Sequence, residues 1–358
     1  MKFKTTLTSI LFLLLLSSCV QEVDVPSPTP VVVQAADQPQ VHLKQEAEIT
    51  PSPMPFQFSF PTPGAEPVSG WRPPLYPVPW AMSTYDHFYF TRPIAADQIN
   101  WPIADYRYGG TFFKNVVHTG VDIDAEEGTP IMAAGPGTIV WAGWGLFTET
   151  PGNINDPYGM AVVIRHDFGY NDRQLYTAYA HMSKIIAIVS QHVETGDLIG
   201  LVGATGAVTG PHVHFEVRLS VNSFQYTYNP ELWIAPPQGW GVLVGRVMDT
   251  KGDPLSRTEL HVISEKTKKD YLIKTYGSGG AINPDPYYNE NLVLGDLPAG
   301  IYKIVISIDK KNIQTWVEIF PGQVTYFTFE GDNGFSTERP PAPKLKFLPP
   351  LPSPTPLP

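Results

Sequence analysis

The chain has 358 residues, of which 42% are hydrophobic and 16% are charged, so it holds enough apolar material for a packed core and is not a disordered polyampholyte. Its 34 acidic against 24 basic side chains give a formal net charge of −10, which disfavours nucleic acid as a partner. Cys19 is the single cysteine, so no intramolecular disulfide can form. At roughly 150 residues per domain, the length predicts two domains with connecting segments.

Residues 1–19 have the order that is typical of a secretory signal, in which a basic start is followed by an apolar run and then by small residues. Two lysines precede an apolar run over residues 10–16, and two serines stand directly before Cys19. The run is shorter than the ~20 apolar residues that span a bilayer, so export is favoured over a retained transmembrane helix.

The sequence LSSC over residues 16–19 resembles the lipobox of bacterial lipoproteins, in which the cysteine is lipidated and becomes the first residue. The alternative is an ordinary signal peptide with a chance cysteine. Lipidation is favoured because the only cysteine stands where the pattern requires it. The resemblance implies an extracytoplasmic lipoprotein of the cell envelope, anchored to a membrane through acyl chains on Cys19.

Proline marks the segments on either side of the predicted folded part: 14 of the 38 prolines lie between Pro26 and Pro79, and nine lie from Pro340 to Pro358. This composition favours extended polyproline II structure. Residues 20–80 are therefore predicted to be a Pro-rich tether that reaches on the order of 100 to 190 Å from the lipid, and residues 333–358 a Pro-rich tail. The alternative for the tether is a disordered spacer of no selected length.

Residues 81–236 are predicted to form a strand-dominated, all-β domain. Glycine and proline separate short apolar runs here, and the β-branched and aromatic content of these runs indicates strands rather than helices. The runs are GTIVWAGW, MAVVIRHD, QLYTAYAHMS, DLIGLVG and HVHFEVRL.

A second strand series occupies residues 238–332, after the pattern breaks at APPQG. About seven short runs separated by turn sequences predict a small antiparallel β-sandwich. The module resembles carboxypeptidase-regulatory-like and prealbumin-like sandwiches through GRVMDTKGDPL and LPAGIYKIVI. It is predicted to be a spacer or a binding domain, because its sequence gathers no ligand set and no nucleophile.

Histidines supply the candidate chemistry of the first domain. On a strand, His212 and His214 of HVHFEVRL project to one face, while Val213 faces the other. Two imidazoles on one face suit a metal site, although a solvent-facing pair explains them equally well in isolation. Upstream, HTGVDID places His118 four residues before Asp122, in a loop that enters a strand, and this spacing alone is weak.

A third candidate is His181, which ends the run YTAYAHMS near the predicted strand terminus. A histidine of this kind is more often a hydrogen-bonded structural residue. The complete set of four histidines and one aspartate nevertheless offers the nitrogen and oxygen donors that zinc prefers, and three ligands with an open fourth position is the catalytic arrangement.

Five segments in order resemble the M23 metallopeptidases, the lysostaphin and LytM-type peptidoglycan hydrolases. The resemblance runs from about residue 105 to residue 220 and consists of HTGVDID, EEGTPIMAAGPGTIVWAGW, YGMAVVIRHDFGY, LYTAYAHMS and ETGDLIGLVGATGAVTGPHVHFEVR. It implies a zinc endopeptidase that cuts peptide bonds in peptidoglycan, with zinc held by His118, Asp122 and His214. His181 and His212 would be the two catalytic histidines beside the metal.

Departures from the family pattern are few. The strand-end motif has methionine between His181 and Ser183 where leucine is usual, which conserves volume. The loop over residues 145–157 is longer than common versions, and an aromatic-rich lead-in covers residues 85–101. Both segments could line a substrate groove, but packing on the back of the sheet is favoured.

The other polar candidates receive structural interpretations. His166 is predicted to stabilise a turn at a strand end, and Glu216 to be solvated or salt-bridged, although it could orient a metal ligand. His192 and His261 are predicted to be surface or strand residues, and His42 and His87 to lie in or near the tether. Two other functions stay open, a non-catalytic LytM-type scaffold or activator of other wall hydrolases, and a wall-binding role of the sandwich.

Overall fold

The computed structural model describes residues 75–94, 106–111, 116–277, 279–308 and 310–341. The predicted signal, the lipidation of Cys19, His42, most of the tether and the tail from residue 342 lie outside this part of the chain. The described ends of the predicted tether and tail are folded, because Tyr76 and Trp80 are buried in the main core and Gly334–Ser336 forms a strand. Within the described residues, no helix combines the length and the apolar character needed to cross a membrane.

Strands dominate the structure, which confirms the all-β prediction. In chain order they are Val121–Asp124 (β1), Pro130–Met132 (β2), Gly137–Trp144 (β3), Met160–Tyr170 (β4), Arg173–Ile185 (β5), His192–Val193 (β6), Leu198–Val202 (β7), His212–Leu219 (β8), Thr227–Tyr228 (β9), Trp240–Met248 (β10), Glu259–Ser264 (β11), Asp270–Lys274 (β12), Ile282–Asn283 (β13), Leu292–Pro298 (β14), Gly300–Ile308 (β15), Lys311–Ile319 (β16), Val324–Glu330 (β17) and Gly334–Ser336 (β18). Short 3₁₀ helices cover Phe224–Tyr226, Pro230–Leu232 and Gly331–Asn333. Every predicted strand run overlaps one of these strands.

The first sheet has ten strands and carries the candidate site. Its main order is β13-β9-β8-β5-β4-β3-β6, β1 pairs with β8, and β7 pairs with both β2 and β5. Alternation along β8 sends Val213, Phe215 and Val217 into the main hydrophobic core on the back of the sheet. The intervening side chains of β8 face the opposite side, where the candidate site lies.

The sandwich consists of two four-stranded sheets, in the orders β14-β10-β17-β18 and β12-β11-β15-β16. Apolar residues of both sheets, among them Val247, Leu260 and Phe327, form the core between them. The prediction of a wholly antiparallel sandwich is wrong at one pairing, since β10 and β17 are parallel. The chain enters β17 from β16 in the other sheet, and this crossing sets its direction.

The main core extends across the predicted domain boundary. It joins back-face residues of the first sheet to residues of the sandwich, including Val244, Val293 and Tyr326. β13 belongs to the sandwich sequence, but it lies in neither sandwich sheet and pairs in parallel with β9 of the first sheet. The division at residues 236 to 238 stays a prediction from composition, whereas the apolar packing is continuous.

The lead-in and the long loop lie on opposite faces of the first sheet. Phe88 and Phe90 of the lead-in are fully buried in the main core on the back, as favoured from the sequence. The loop over 145–157 differs from that expectation, because Leu146 and Phe147 pack on the front face with Tyr158. The front-face alanines of β4 and β5 leave room for these larger side chains.

His87 is buried rather than part of a tether. Its Nδ1 lies 2.9 Å from the carbonyl of Tyr85, and its Nε2 lies 3.3 Å from a carboxylate oxygen of Asp285. The ring also packs against Trp233, with a centroid distance of 4.2 Å. This histidine therefore ties the lead-in to the sandwich sequence.

Candidate metal centre

Strand register brings the candidate residues together. Asp122 of β1 pairs with His214 of β8, and Asp124 pairs with His212. His118 approaches from the loop that precedes β1. The prediction that residues two apart on β8 share a face is confirmed by this arrangement, because His212, His214 and Glu216 all lie on the front of the sheet.

Three donor atoms form a small triangle that could hold a metal ion. Nε2 of His118, Oδ1 of Asp122 and Nδ1 of His214 lie 2.9 Å from one another in all three pairs. Ligands at zinc bond lengths in a tetrahedron are ~3.3 Å apart, so a slight outward movement of each side chain would accommodate the ion. The residues present thus fit zinc in number, chemical type and spacing.

The hydrogen bonds on the far side of each ring set which nitrogen faces the triangle. Nδ1 of His118 lies 3.1 Å from the carbonyl oxygen of Arg107, to which it donates. Nε2 of His214 lies 3.1 Å from Oε1 of Glu216. Each ring thereby turns its other nitrogen inward, where it would be the lone-pair donor to a bound metal ion, and this is the usual support of a metal-binding histidine.

Glu216 is fully buried in a network of hydrogen bonds, contrary to the expectation of a solvated carboxylate. It accepts from Thr119 at 2.5 Å, from the Tyr158 hydroxyl, and from Nε of Arg218 at 2.6 Å. Burial opposes its ionisation, but the charges of Arg218 and His214 hold the pKa of Glu216 well below its ordinary value. Glu216 therefore carries a fixed negative charge that orients His214, besides being salt-bridged as predicted.

We expect Glu216→Gln to weaken zinc binding by about 10- to 100-fold, because the amide loses the charge that orients the imidazole of His214. Chelator competition on the full chain would measure the affinity, with circular dichroism to verify folding. Glu194→Gln, at an exposed carboxylate, is the matched control. Equal affinities of the two variants would contradict the orienting role.

The two remaining histidines lie beside the triangle. The ring centroids of His181 and His212 are 4.7 Å apart, and His181 lies 5.7 Å from His214. Each uses Nδ1 for a backbone carbonyl at 2.9 Å, Thr205 for His181 and Gly210 for His212. Nε2 is consequently the ring atom that each offers to the site, and that of His212 is 3.6 Å from Oδ2 of Asp122.

A bulge in β5 aims His181 at the site. Strict alternation would place its side chain on the back face with Tyr179, since Ala180 pairs with His214 on the front. Instead β5 has one more residue than β4 between two neighbouring pairs at this point, and His181 has a φ of 64°. The extra residue turns the imidazole to the front, which is a common use of bulges near active sites.

Charges within the site are strongly coupled. Burial opposes the charge on Asp122, but the imidazoles of His118 and His214 hold its pKa well below the ordinary value. Burial likewise opposes the charge on His214, yet Asp122 and Glu216 raise its pKa to about 9. Burial and the neighbouring rings of His214 and His212 lower the pKa of His181 to about 3, so His181 is neutral near pH 7.

Aromatic side chains flank the site on the front face. Phe147 of the long loop stacks on Phe224 with ring centroids 4.4 Å apart and contacts Tyr158 at 5.3 Å. Tyr158 in turn lies 5.3 Å from the ring of His214. The long loop therefore belongs to the surroundings of the site, and Tyr158 is a site residue for which the sequence offers no signal.

The other described histidines lie apart from the triangle. His192 and His261 have half-exposed side chains and pair with Asp167 and Asp270, in agreement with their predicted surface positions. His166 is hydrogen-bonded as predicted, at 3.0 Å from the carbonyl of Pro136 and 2.8 Å from Thr177. It lies inside β4 rather than at its end, because the strand continues to Tyr170.

His166 makes stability depend on pH. Burial lowers its pKa to about 4, below the 6.5 of the unfolded chain, so the unfolded state takes up the proton more readily. This contribution is complete above pH 6.5 and is lost as the pH falls towards 4. When the pH is lowered from 7.5 to 5, the free energy of unfolding should fall by about 2 kcal/mol more in the wild type than in His166→Asn. Denaturant unfolding at the two pH values would measure this difference. Parallel losses in both proteins would contradict this assignment.

Comparison with known proteins finds a family match over the segment that contains the candidate ligands. Residues 116–226 match peptidase family M23. The DD-carboxypeptidase/endopeptidase Mpg of Neisseria meningitidis serogroup B is 35% identical over 128 residues, which are 36% of this chain and 26% of that protein. The peptidoglycan DD-endopeptidase ShyA of Vibrio cholerae is 40% identical over 101 residues, 28% of this chain and 20% of that protein.

Among solved structures, the catalytic domain of lysostaphin from Staphylococcus simulans is 30% identical, and the match covers 35% of this chain and 86% of that one with a TM-score of 0.30. The chain spans about a quarter of the length of the curated relatives that it matches.

Proposed function

We propose that this protein is a zinc metalloendopeptidase that hydrolyses peptide bonds in the peptide stems or cross-bridges of bacterial peptidoglycan. The match of residues 116–226 to peptidase family M23 supports this proposal. The observation that supports it most is the triangle of His118, Asp122 and His214, with mutual distances of 2.9 Å, beside two further imidazoles. The names of two relatives, a DD-carboxypeptidase/endopeptidase and a peptidoglycan DD-endopeptidase, support the substrate class.

The residues of the chain have distinct parts in this mechanism. Zinc held by two neutral imidazoles and one carboxylate would keep a positive charge and an open position, where it would polarise the scissile carbonyl and acidify a water molecule. His181 and His212 offer Nε2 on the same side, where one can accept the proton of the attacking water and the other can donate to the developing oxyanion or the leaving amine. Phe147 and Tyr158 shield this face from bulk water.

The test uses the full chain and purified peptidoglycan, with mass spectrometry of the released peptides. We expect release that stops with a chelator and returns when zinc is added. Absent release, or release that a chelator does not affect, would refute the enzymatic function. The masses of the products would also identify which peptide bond is cut.

A non-catalytic scaffold is the second candidate, and the site argues against it. A domain that only regulates other hydrolases has no need of a filled ligand set, of oriented imidazoles or of the buried Glu216 network. If His214→Ala still performed the cellular role of the protein, the scaffold would replace the peptidase as the proposed function.

We also propose that the protein works outside the cytoplasm, where peptidoglycan is found, and is anchored to a membrane through lipid on Cys19. The lipobox-like LSSC sequence supports the anchor. Cys19→Ser is expected to abolish incorporation of labelled fatty acid and to move the protein from the membrane fraction to the soluble one. Unchanged labelling would show that Cys19 is not the attachment site.

A further inference from the structure

We infer that the C-terminal sandwich positions the metal ligand His118 through the segment 107–110, and so forms a structural part of the metal centre rather than a spacer. The inference rests on the metal site of the proposed function, but not on the identity of the substrate. It gives Arg107 and Tyr276 the part of positioning residues.

Segment 107–110 holds His118 on three sides. The backbone N–H of His118 donates to the carbonyl of Gly110 at 2.8 Å, and the carbonyl of His118 accepts from Gly109 at 2.8 Å. The imidazole Nδ1 donates to the carbonyl of Arg107 at 3.1 Å. Both the backbone and the ring of this ligand therefore take their position from the segment.

The Arg107 side chain connects this segment to the sandwich. Its Nη1 donates to Oε2 of Glu231 at 2.6 Å, and the same oxygen accepts the backbone N–H of Gly295 in β14 at 2.6 Å. Glu231 is only 1% exposed. A buried carboxylate requires its charged partner, since an unpaired charge costs several kcal/mol in such surroundings. The pair thus holds Arg107 against β14.

Tyr276 supports the segment from a second direction. Its ring meets that of Tyr108 edge-on with centroids 5.4 Å apart, and both are buried with Ile282 of β13. A Cβ atom on Gly109, whose φ is 76°, would lie 2.2 Å from Cβ of Tyr276. Only glycine permits this approach, so the segment and Tyr276 are in close contact.

Tyr108 extends this contact to the strands. Its hydroxyl donates to the carbonyl of Thr227 in β9 at 2.7 Å and accepts from the backbone N–H of Asn283 in β13 at 3.0 Å. β13 belongs to the sandwich sequence but pairs with β9 of the first sheet. The segment that holds His118 is therefore fixed at the place where the two parts of the chain share a sheet.

The experiment measures zinc affinity by chelator competition on the full chain, at a temperature where circular dichroism shows every variant folded. Arg107→Met combined with Glu231→Gln removes the ion pair without leaving a buried charge. Tyr276→Leu removes the ring that meets Tyr108, whereas Tyr276→Phe keeps it. We expect the double variant and Tyr276→Leu to bind zinc about tenfold more weakly, and Tyr276→Phe to stay within about twofold of wild type.

Leu260→Ala is the matched control, because it destabilises the core between the two sandwich sheets without touching the segment. Wild-type affinity in the double variant and in Tyr276→Leu would overturn the inference. The inference would also be overturned if Leu260→Ala lost as much zinc affinity as these variants when its melting temperature fell by the same amount. If the wild-type protein bound zinc but left peptidoglycan intact, the proposed function would be refuted. The inference would still stand, because the pattern of zinc affinities among the variants would persist.

Discussion

Asp122→Ala is expected to remove zinc from the protein and to reduce peptide release from peptidoglycan to the level seen with a chelator. Asp122 supplies the only carboxylate of the triangle, and its Oδ1 lies 2.9 Å from the donor nitrogens of both His118 and His214. The drop in zinc affinity should be larger than the about 10- to 100-fold expected when a residue that only orients a ligand is replaced, because a direct ligand and its charge are lost together.

Metal analysis of the purified variant, together with the peptidoglycan assay, would measure this effect. Asp167→Ala is the control, since Asp167 is a half-exposed carboxylate that pairs with His192 away from the site. Zinc bound at full stoichiometry in Asp122→Ala would show that the ion lies elsewhere, and the proposed site would have to be abandoned.

Replacing His181 or His212 with alanine is expected to lower kcat by about 10²- to 10⁴-fold while zinc stays bound. Neither ring contributes an atom to the triangle of ligands, but both present Nε2 beside it. Burial and the adjacent imidazoles lower the pKa of His181 to about 3, which keeps this ring neutral across the working pH range.

Steady-state rates and zinc content measured on the same preparations would test separately whether kcat falls and whether zinc stays bound. His192→Ala, at an exposed ring, serves as the control. Undiminished kcat would exclude a catalytic part for the residue replaced, whereas loss of zinc would make that residue a ligand instead.

Local patterns in the sequence predicted the strands and much of the site. The apolar runs all became strands, and residues at a spacing of two along β8 placed His212, His214 and Glu216 on one face. This success has a simple cause, because alternation is a property of the extended backbone and needs no distant partner.

The direction of His181 could not be read in the same way. Alternation alone assigns it to the back of the sheet, and the bulge between β4 and β5 brings it to the front. A bulge depends on how two strands pair, which a single strand does not reveal. The resemblance to M23 sequences identified this residue where the local pattern could not.

The sequence by itself determined which segments form strands and which donors suit zinc. It did not determine where the folded part begins and ends, since Tyr76 and Trp80 of the predicted tether lie in the main core and Gly334–Ser336 of the predicted tail forms β18. Only the tertiary structure decided that β13 joins the first sheet, that the long loop packs on the front face and that Arg107, Tyr158 and Arg218 support the metal ligands. The reason is physical: strand formation follows from neighbours along the chain, whereas burial of a charge and the pairing of distant strands depend on residues 55 to 124 positions away.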